Sequence, residues 1–166
     1  MLLNFFSYLK FLLKSTNEHG VHSPFVFEYL TKCLYKKPKK NKDKSLDLLL
    51  KSIAYFKFKN VLIIDNPTYK KEINKHFPKL NNSAAKVDLV FYESIQEKDL
   101  PSFLSDYNIH NDSQIIINNI HKNQKIAACW SNFINQKNVT VSIDFYYCGA
   151  LFIRKEQLKE HFSIRI

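Results

Sequence analysis

Glycine is almost missing from this chain: Gly20 and Gly149 are the two among 166 residues. Glycine lets bare backbone approach a ligand and takes left-handed conformations at no steric cost. A glycine-rich phosphate or dinucleotide loop is therefore excluded. Arginine is equally scarce, with Arg154 and Arg165 set against 23 lysines. Arginine makes the bidentate contacts to phosphate and guanine, so its scarcity weakens the nucleic-acid reading that a formal net charge of +10 invites. Cysteine is sparse and odd in number: Cys33, Cys129 and Cys148 show no metal-ligand spacing. They are expected to be reduced thiols of a cytoplasmic protein. No apolar run reaches the roughly 18 residues of a spanning helix, so no transmembrane segment is expected.

What is present is a chain that can bury a core. Its hydrophobic fraction is 45%, too high for wholesale disorder, and its length suits one domain over residues 1–166. The N-terminal "MLLNFFSYLKFLL" places Leu2, Phe5, Phe6, Leu9, Leu12 and Leu13 on one helical face. It reads as a packed amphipathic helix, ahead of a membrane-surface helix. It lacks the basic leader and small-residue cleavage site of a signal peptide. Ser23 followed by Pro24 starts a second helix, expected to reach about Tyr35. Six lysines between Lys36 and Lys44 form a solvated loop, and Leu46, Leu49, Leu50, Ile53 and Ala54 define a third helix over 44–57. Lysine abounds together with 16 asparagines and many Ile, Phe and Tyr. That set fits an AT-rich coding bias, which supplies lysines without functional demand.

From residue 58 the pattern changes. "NVLIID" (60–65), "KVDLVFYES" (86–94) and "SQIIINN" (113–119) are short apolar strands. Helical patterns lie between and after them, within Thr68 to Phe77, over Gln96 to Tyr107 and from about Asn123 to Asn135. Strands alternating with helices predict a parallel sheet. "NVTVSIDFYY" (138–147) then alternates, Cys148 and Gly149 are read as the turn, and "ALFIRK" (150–155) returns as a hairpin. "KEQLKEHFSIRI" adds a short helical turn and an extended tail.

Several segments carry a resemblance. "HGVHSPFVF" (19–27), "VDLVFYES", "SQIIINNIHKNQKIAACW" and "VTVSIDFYYCGALFIRKEQLKEHFSIRI" resemble short, Bacteroidetes-type members of the class I S-adenosylmethionine-dependent methyltransferase-like family. The resemblance covers about the first 35 residues and most of 87–166. It implies an α/β, reduced Rossmann-like methyltransferase fold. The expected sheet is mostly parallel, of about five strands, with a C-terminal antiparallel hairpin and extra N-terminal helices. The family's glycine-rich cofactor loop is absent, because "NPTYKK" follows "VLIID". Only residues 66–86 separate Asp65 from Val87, enough for one crossover helix but not for the family's two further strands. Asp88 begins its strand and cannot replace the missing ribose-binding acid.

At the carboxyl edge, where open α/β sheets bind ligands, stand Asp65, Glu93, Asn118, Asn119 and His121. The resembling family carries an Asp-Asp pair where this chain has Asn118 and Asn119. Asn keeps an oxygen but loses the charge that hard cations need, so no metal is expected. Asn118, Asn119 and His121 are read as a remnant catalytic site, and Asp65 and Glu93 as a vestigial cofactor site. His19 and His22 read as packing at a helix start, and Asp144 with Cys148 as strand and turn residues. The expected protein is a degenerate methyltransferase relative with a binding or scaffold role and no bound cofactor. The alternatives are an active methyltransferase on a small-molecule or hydroxyl acceptor, and an anionic-surface or nucleic-acid binder through the lysine loop. An exposed strand edge at Val61 to Asp65 is expected to be covered by the N-terminal helices or paired in a homodimer.

Overall fold

A computed structural model describes residues 2–81, 86–96 and 108–166. Four of its helices start where side chains cap free backbone N–H groups. Ser23 Oγ accepts from the Val26 N–H and opens α2 (Pro24–Tyr29), which continues as a wider turn over Leu30–Leu34. Asp43 accepts from Ser45 and Leu46 at the start of α3 (Lys44–Phe56). Asn66 caps α4 (Pro67–His76) and Asn123 caps α5 (Gln124–Ile134). The N-terminal α1 covers Leu2–Lys14. No helix among the described residues is long and apolar enough to cross a membrane.

The strands are β1 (Val61–Ile64), β2 (Val87–Tyr92), β3 (Ile109–Asn118), β4 (Val141–Asp144), β5 (Cys148–Phe152) and β6 (Glu160–Ser163). They form one sheet in the order β1-β2-β3-β5-β4-β6. The first three strands are parallel, as the strand–helix alternation predicts. β5 runs antiparallel to both β3 and β4, and β6 lies parallel to β4 at the far edge. The architecture is therefore α/β with a mixed six-stranded sheet. The mostly parallel sheet of about five strands is corrected: the extended tail pairs as a sixth strand, and β5 runs antiparallel to both of its neighbours. The hairpin turn is also displaced. It falls at Phe145–Tyr147, while Cys148 and Gly149 lie inside β5. Gly149 is needed there because a Cβ would run into the Trp130 indole. The helix expected over Gln96 to Tyr107 lies, from residue 97 on, outside the described residues.

Each face of the sheet buries its own apolar layer. On one face Leu89, Phe91, Ile116, Ile143 and Phe152 pack under α2, α3 and α4. On the other, Val90, Ile115, Ile117 and Leu151 pack under Trp130 and Phe133 of α5. Burying each such side chain stabilises the fold by about 2 kcal/mol. The cysteines are buried and unpaired, and burial pushes the Cys33 and Cys148 thiols up to about 12.

Val61 of β1 shares an apolar layer with α3. Among the described residues, the backbone pairing on the outer side of β1 is with Asn81, whose carbonyl accepts the Val61 N–H (3.0 Å). α1 lies at the opposite side of the molecule. Thr16, just beyond it, pairs with Ile164, and Tyr8 and Phe11 pack on Tyr146 in the β4–β5 turn.

Candidate functional site

Parallel strands bring their carboxyl ends to one edge, and β4 runs parallel to β3 because both are antiparallel to β5. The chain must turn sharply after each strand with no glycine available. Asp65, Asn119 and Tyr146 take the left-handed conformation there, at φ 58, 57 and 70. Asp and Asn tolerate it through short polar side chains. Tyr146 is bulky, and its φ is held from two sides. Its N–H donates to Asp144 Oδ1 (2.7 Å), and its ring stacks on His121 with centroids 5.1 Å apart.

Glu93, just past β2, is the hub of the edge. Its carboxylate accepts hydrogen bonds from the Nδ2 groups of Asn66 (2.6 Å), Asn118 (3.2 and 3.3 Å) and Asn119 (2.9 Å). Two of the expected catalytic residues and one expected cofactor residue thus form a single cluster. The amides do not merely stand where acids might be; they donate to the acid on the neighbouring strand. Two amides rather than two further carboxylates avoid like-charge repulsion beside Glu93. The turn after β3 belongs to Asn119. Its N–H donates to the Tyr147 carbonyl (2.7 Å) and its own carbonyl accepts from Lys122 (2.9 Å). Asn118 is instead the last residue of β3, paired with Cys148, and it is buried. Asp65 is exposed and stands outside the cluster.

His121 is also partnered. Its Nε2 donates to Asp144 Oδ2 at 2.7 Å, with the imidazole side chain 22% exposed. A carboxylate only accepts, so Nε2 is the donor of this pair. Asp144 closes its own turn, as expected of a strand and turn residue, and it also orients His121. Sequence position could have paired them, since both follow strands whose carboxyl ends share an edge. The 22 intervening residues hide the pairing from any local motif.

Beside the cluster lies a cavity of about 340 Å³. Asn118, Asn119, Tyr69 and Tyr147 line it, with Asp43 and Ser45 at the start of α3. Tyr69 is buried in the first turn of α4 and packs on Phe91, ring centroids 5.0 Å apart. Burial, and then a hydrogen bond to Asp43, raise its phenol well above the usual range. Asn66, Tyr69 and the start of α3 were not legible as site residues, because no short-range motif brings residues 43–45 against 66–69 and 118–119.

His19 and His22 are exposed near the start of α2. Among the described residues, no three His, Cys, Asp or Glu side chains gather as metal ligands. No family model, curated protein or solved structure matches this chain.

Proposed function

We propose that this chain is a degenerate relative of the class I methyltransferases that serves as a binding or scaffold module, with a reduced Rossmann-like core and no cofactor-dependent chemistry. One observation carries the reading: the loop after β1 is filled. Where a glycine loop would admit the methionine and ribose parts of S-adenosylmethionine, this chain has Asp65, Asn66 and Pro67 leading into Tyr69. The Tyr69 ring is buried against Phe91, and Pro67 offers no N–H. Two further observations support it. Among the described residues β1 is the edge strand, its outer side bridged at Asn81, so no described strand beyond it carries a ribose-binding acid. Glu93, the acid on the next strand end, is occupied by three Asn amides. The residues present therefore do not fit the cofactor.

The test is calorimetric titration of the full chain with S-adenosylmethionine. No binding heat is expected up to about 1 mM ligand, the concentration scale of a Kd worth roughly 4 kcal/mol. Micromolar binding would overturn the reading. It would favour the second one, an active methyltransferase on a small-molecule or hydroxyl acceptor, which a single observation supports: His121 is an imidazole held by a carboxylate, the arrangement of a general base.

A further inference from the structure

A second cavity, of about 570 Å³, lies beneath the lysine loop and shares Lys44 with the carboxyl-edge cavity. That is within the range of small-molecule sites. Leu34, Leu48 and Pro38 give it an apolar lining, and Lys36, Lys37 and Lys39 stand in its wall. These three lysines are exposed, so their charges are already solvated at the mouth.

Inside is a cation of a different kind. Lys51 lines the cavity and is only 6% exposed. Its Nζ donates to Asp47 Oδ2 (3.0 Å) and to the Leu34 carbonyl (2.8 Å). An ammonium carries three donors, so one remains beyond these two among the described residues. Asp47 is shared: its Oδ1 accepts the backbone N–H groups of Lys40 and Asn41, which ties the loop down as a wall. Lys44 is already engaged with the Ile166 backbone oxygen (2.9 Å). Five lysines thus line a largely apolar cavity against a single carboxylate side chain, Asp47. Apolar lining with strong positive excess is complementary to a ligand with an aliphatic tail and an anionic head.

We propose that this cavity binds a single-chain anionic amphiphile, a fatty acid or its alkyl-phosphate analogue. The tail lies on Leu34 and Leu48, and the head lies among Lys36, Lys37, Lys39 and Lys51. The lysine loop is then the wall of a small-molecule site and not a nucleic-acid surface.

The test titrates the full chain, below the critical micelle concentration, with dodecanoate, dodecyl phosphate, dodecanol and dodecyltrimethylammonium, followed by calorimetry and amide chemical shifts. Dodecanoate and dodecyl phosphate should bind at least about tenfold tighter than the neutral and cationic analogues, a difference of roughly 1.4 kcal/mol. The largest shifts should fall in residues 34–51. The triple variant K36Q/K37Q/K39Q changes only exposed side chains and should fold normally by circular dichroism. It should lose about tenfold in dodecanoate affinity with dodecanol unchanged. Leu34→Trp, which fills the cavity, should weaken every ligand. Equal affinity for dodecanol and dodecanoate would overturn the anionic head. Binding of anionic vesicles or a single-stranded oligonucleotide, without binding of monomeric dodecanoate, would overturn the cavity and assign the lysines to a surface.

Discussion

Two histidine–aspartate pairs stand at opposite ends of the same sheet. Asp88 and His110, at the amino end, are 3.0 Å apart; Asp144 and His121, at the carboxyl end, are 2.7 Å apart. The residue types are identical and the distances close, but the surroundings differ. Asp88 Oδ2 accepts the backbone N–H groups of Lys59 (2.7 Å) and Asn60 (2.8 Å) as well, so it ties the approach to β1 onto β2. Asp144 takes one N–H from its own turn and gives its other oxygen to an imidazole beside aromatic rings. A carboxylate saturated by backbone of other segments is a structural tie. One saturated by its own turn, with an orientable side chain as the remaining partner, is free to serve a site.

The sharpest way to break this comparison is Asp88→Ala. It removes three strong hydrogen bonds to a charged acceptor and should lower the unfolding free energy by about 3 kcal/mol in urea titration. The pH dependence follows from the same bonds. Burial alone would raise the Asp88 carboxyl, but the Asn60 and Lys59 N–H groups and His110 outweigh it and hold the pKa below the usual range. With a folded pKa below the unfolded value of about 3.9, its contribution is present above about pH 4 and lost as pH falls through the folded pKa. The difference in stability between wild type and Asp88→Ala should shrink over that acid range.

Glu93→Ala comes next. It orphans the buried Asn118 amide, among others, and should cost about 2 kcal/mol in the same titration. A cost near zero would mean that the amides re-partner with water and that the hub is not structural. Asn118→Asp is smaller and tests why amides are there. A second carboxylate beside Glu93 should cost about 1 kcal/mol at neutral pH, and NMR titration should find one of the two carboxyls raised. A raised folded pKa makes that variant regain stability as pH falls toward the unfolded carboxyl value. The smallest effect is His121→Ala, expected below about 1 kcal/mol because the pair is partly exposed. A loss as large as that of Asp88→Ala would make both pairs structural ties and erase the distinction.

The helices and the first three strands were legible because their signals are local. Ser23 before Pro24, the Leu spacing of α3 and the Ile115–Ile117 run each act within a few residues. The displaced hairpin turn shows where local reading fails. Cys148 and Gly149 look like turn residues, but Gly149 is demanded by Trp130 from across the sheet face, a contact that no window around residue 149 contains. The sixth strand escaped for the same reason: Glu160–Ser163 is extended by pairing with β4, not by its own composition. The site was half legible. Asn118, Asn119, Glu93 and His121 were found at the correct edge, while Asp144, Asn66 and Tyr69 join them only through strand order and helix packing.

The sequence by itself determined the α/β alternation, the helix caps and the glycine-poor loop after β1, because propensity, capping and steric freedom are properties of neighbouring residues. Tertiary structure alone decided what the asparagines do. Composition treats 16 of them as surplus, yet Asn66, Asn118 and Asn119 converge on one carboxylate. It also decided that the lysine run forms the wall of a cavity with Lys51 inside. Hydrogen bonding and burial depend on which residues share space, and in a sheet that order is set by pairing between strands far apart in the chain.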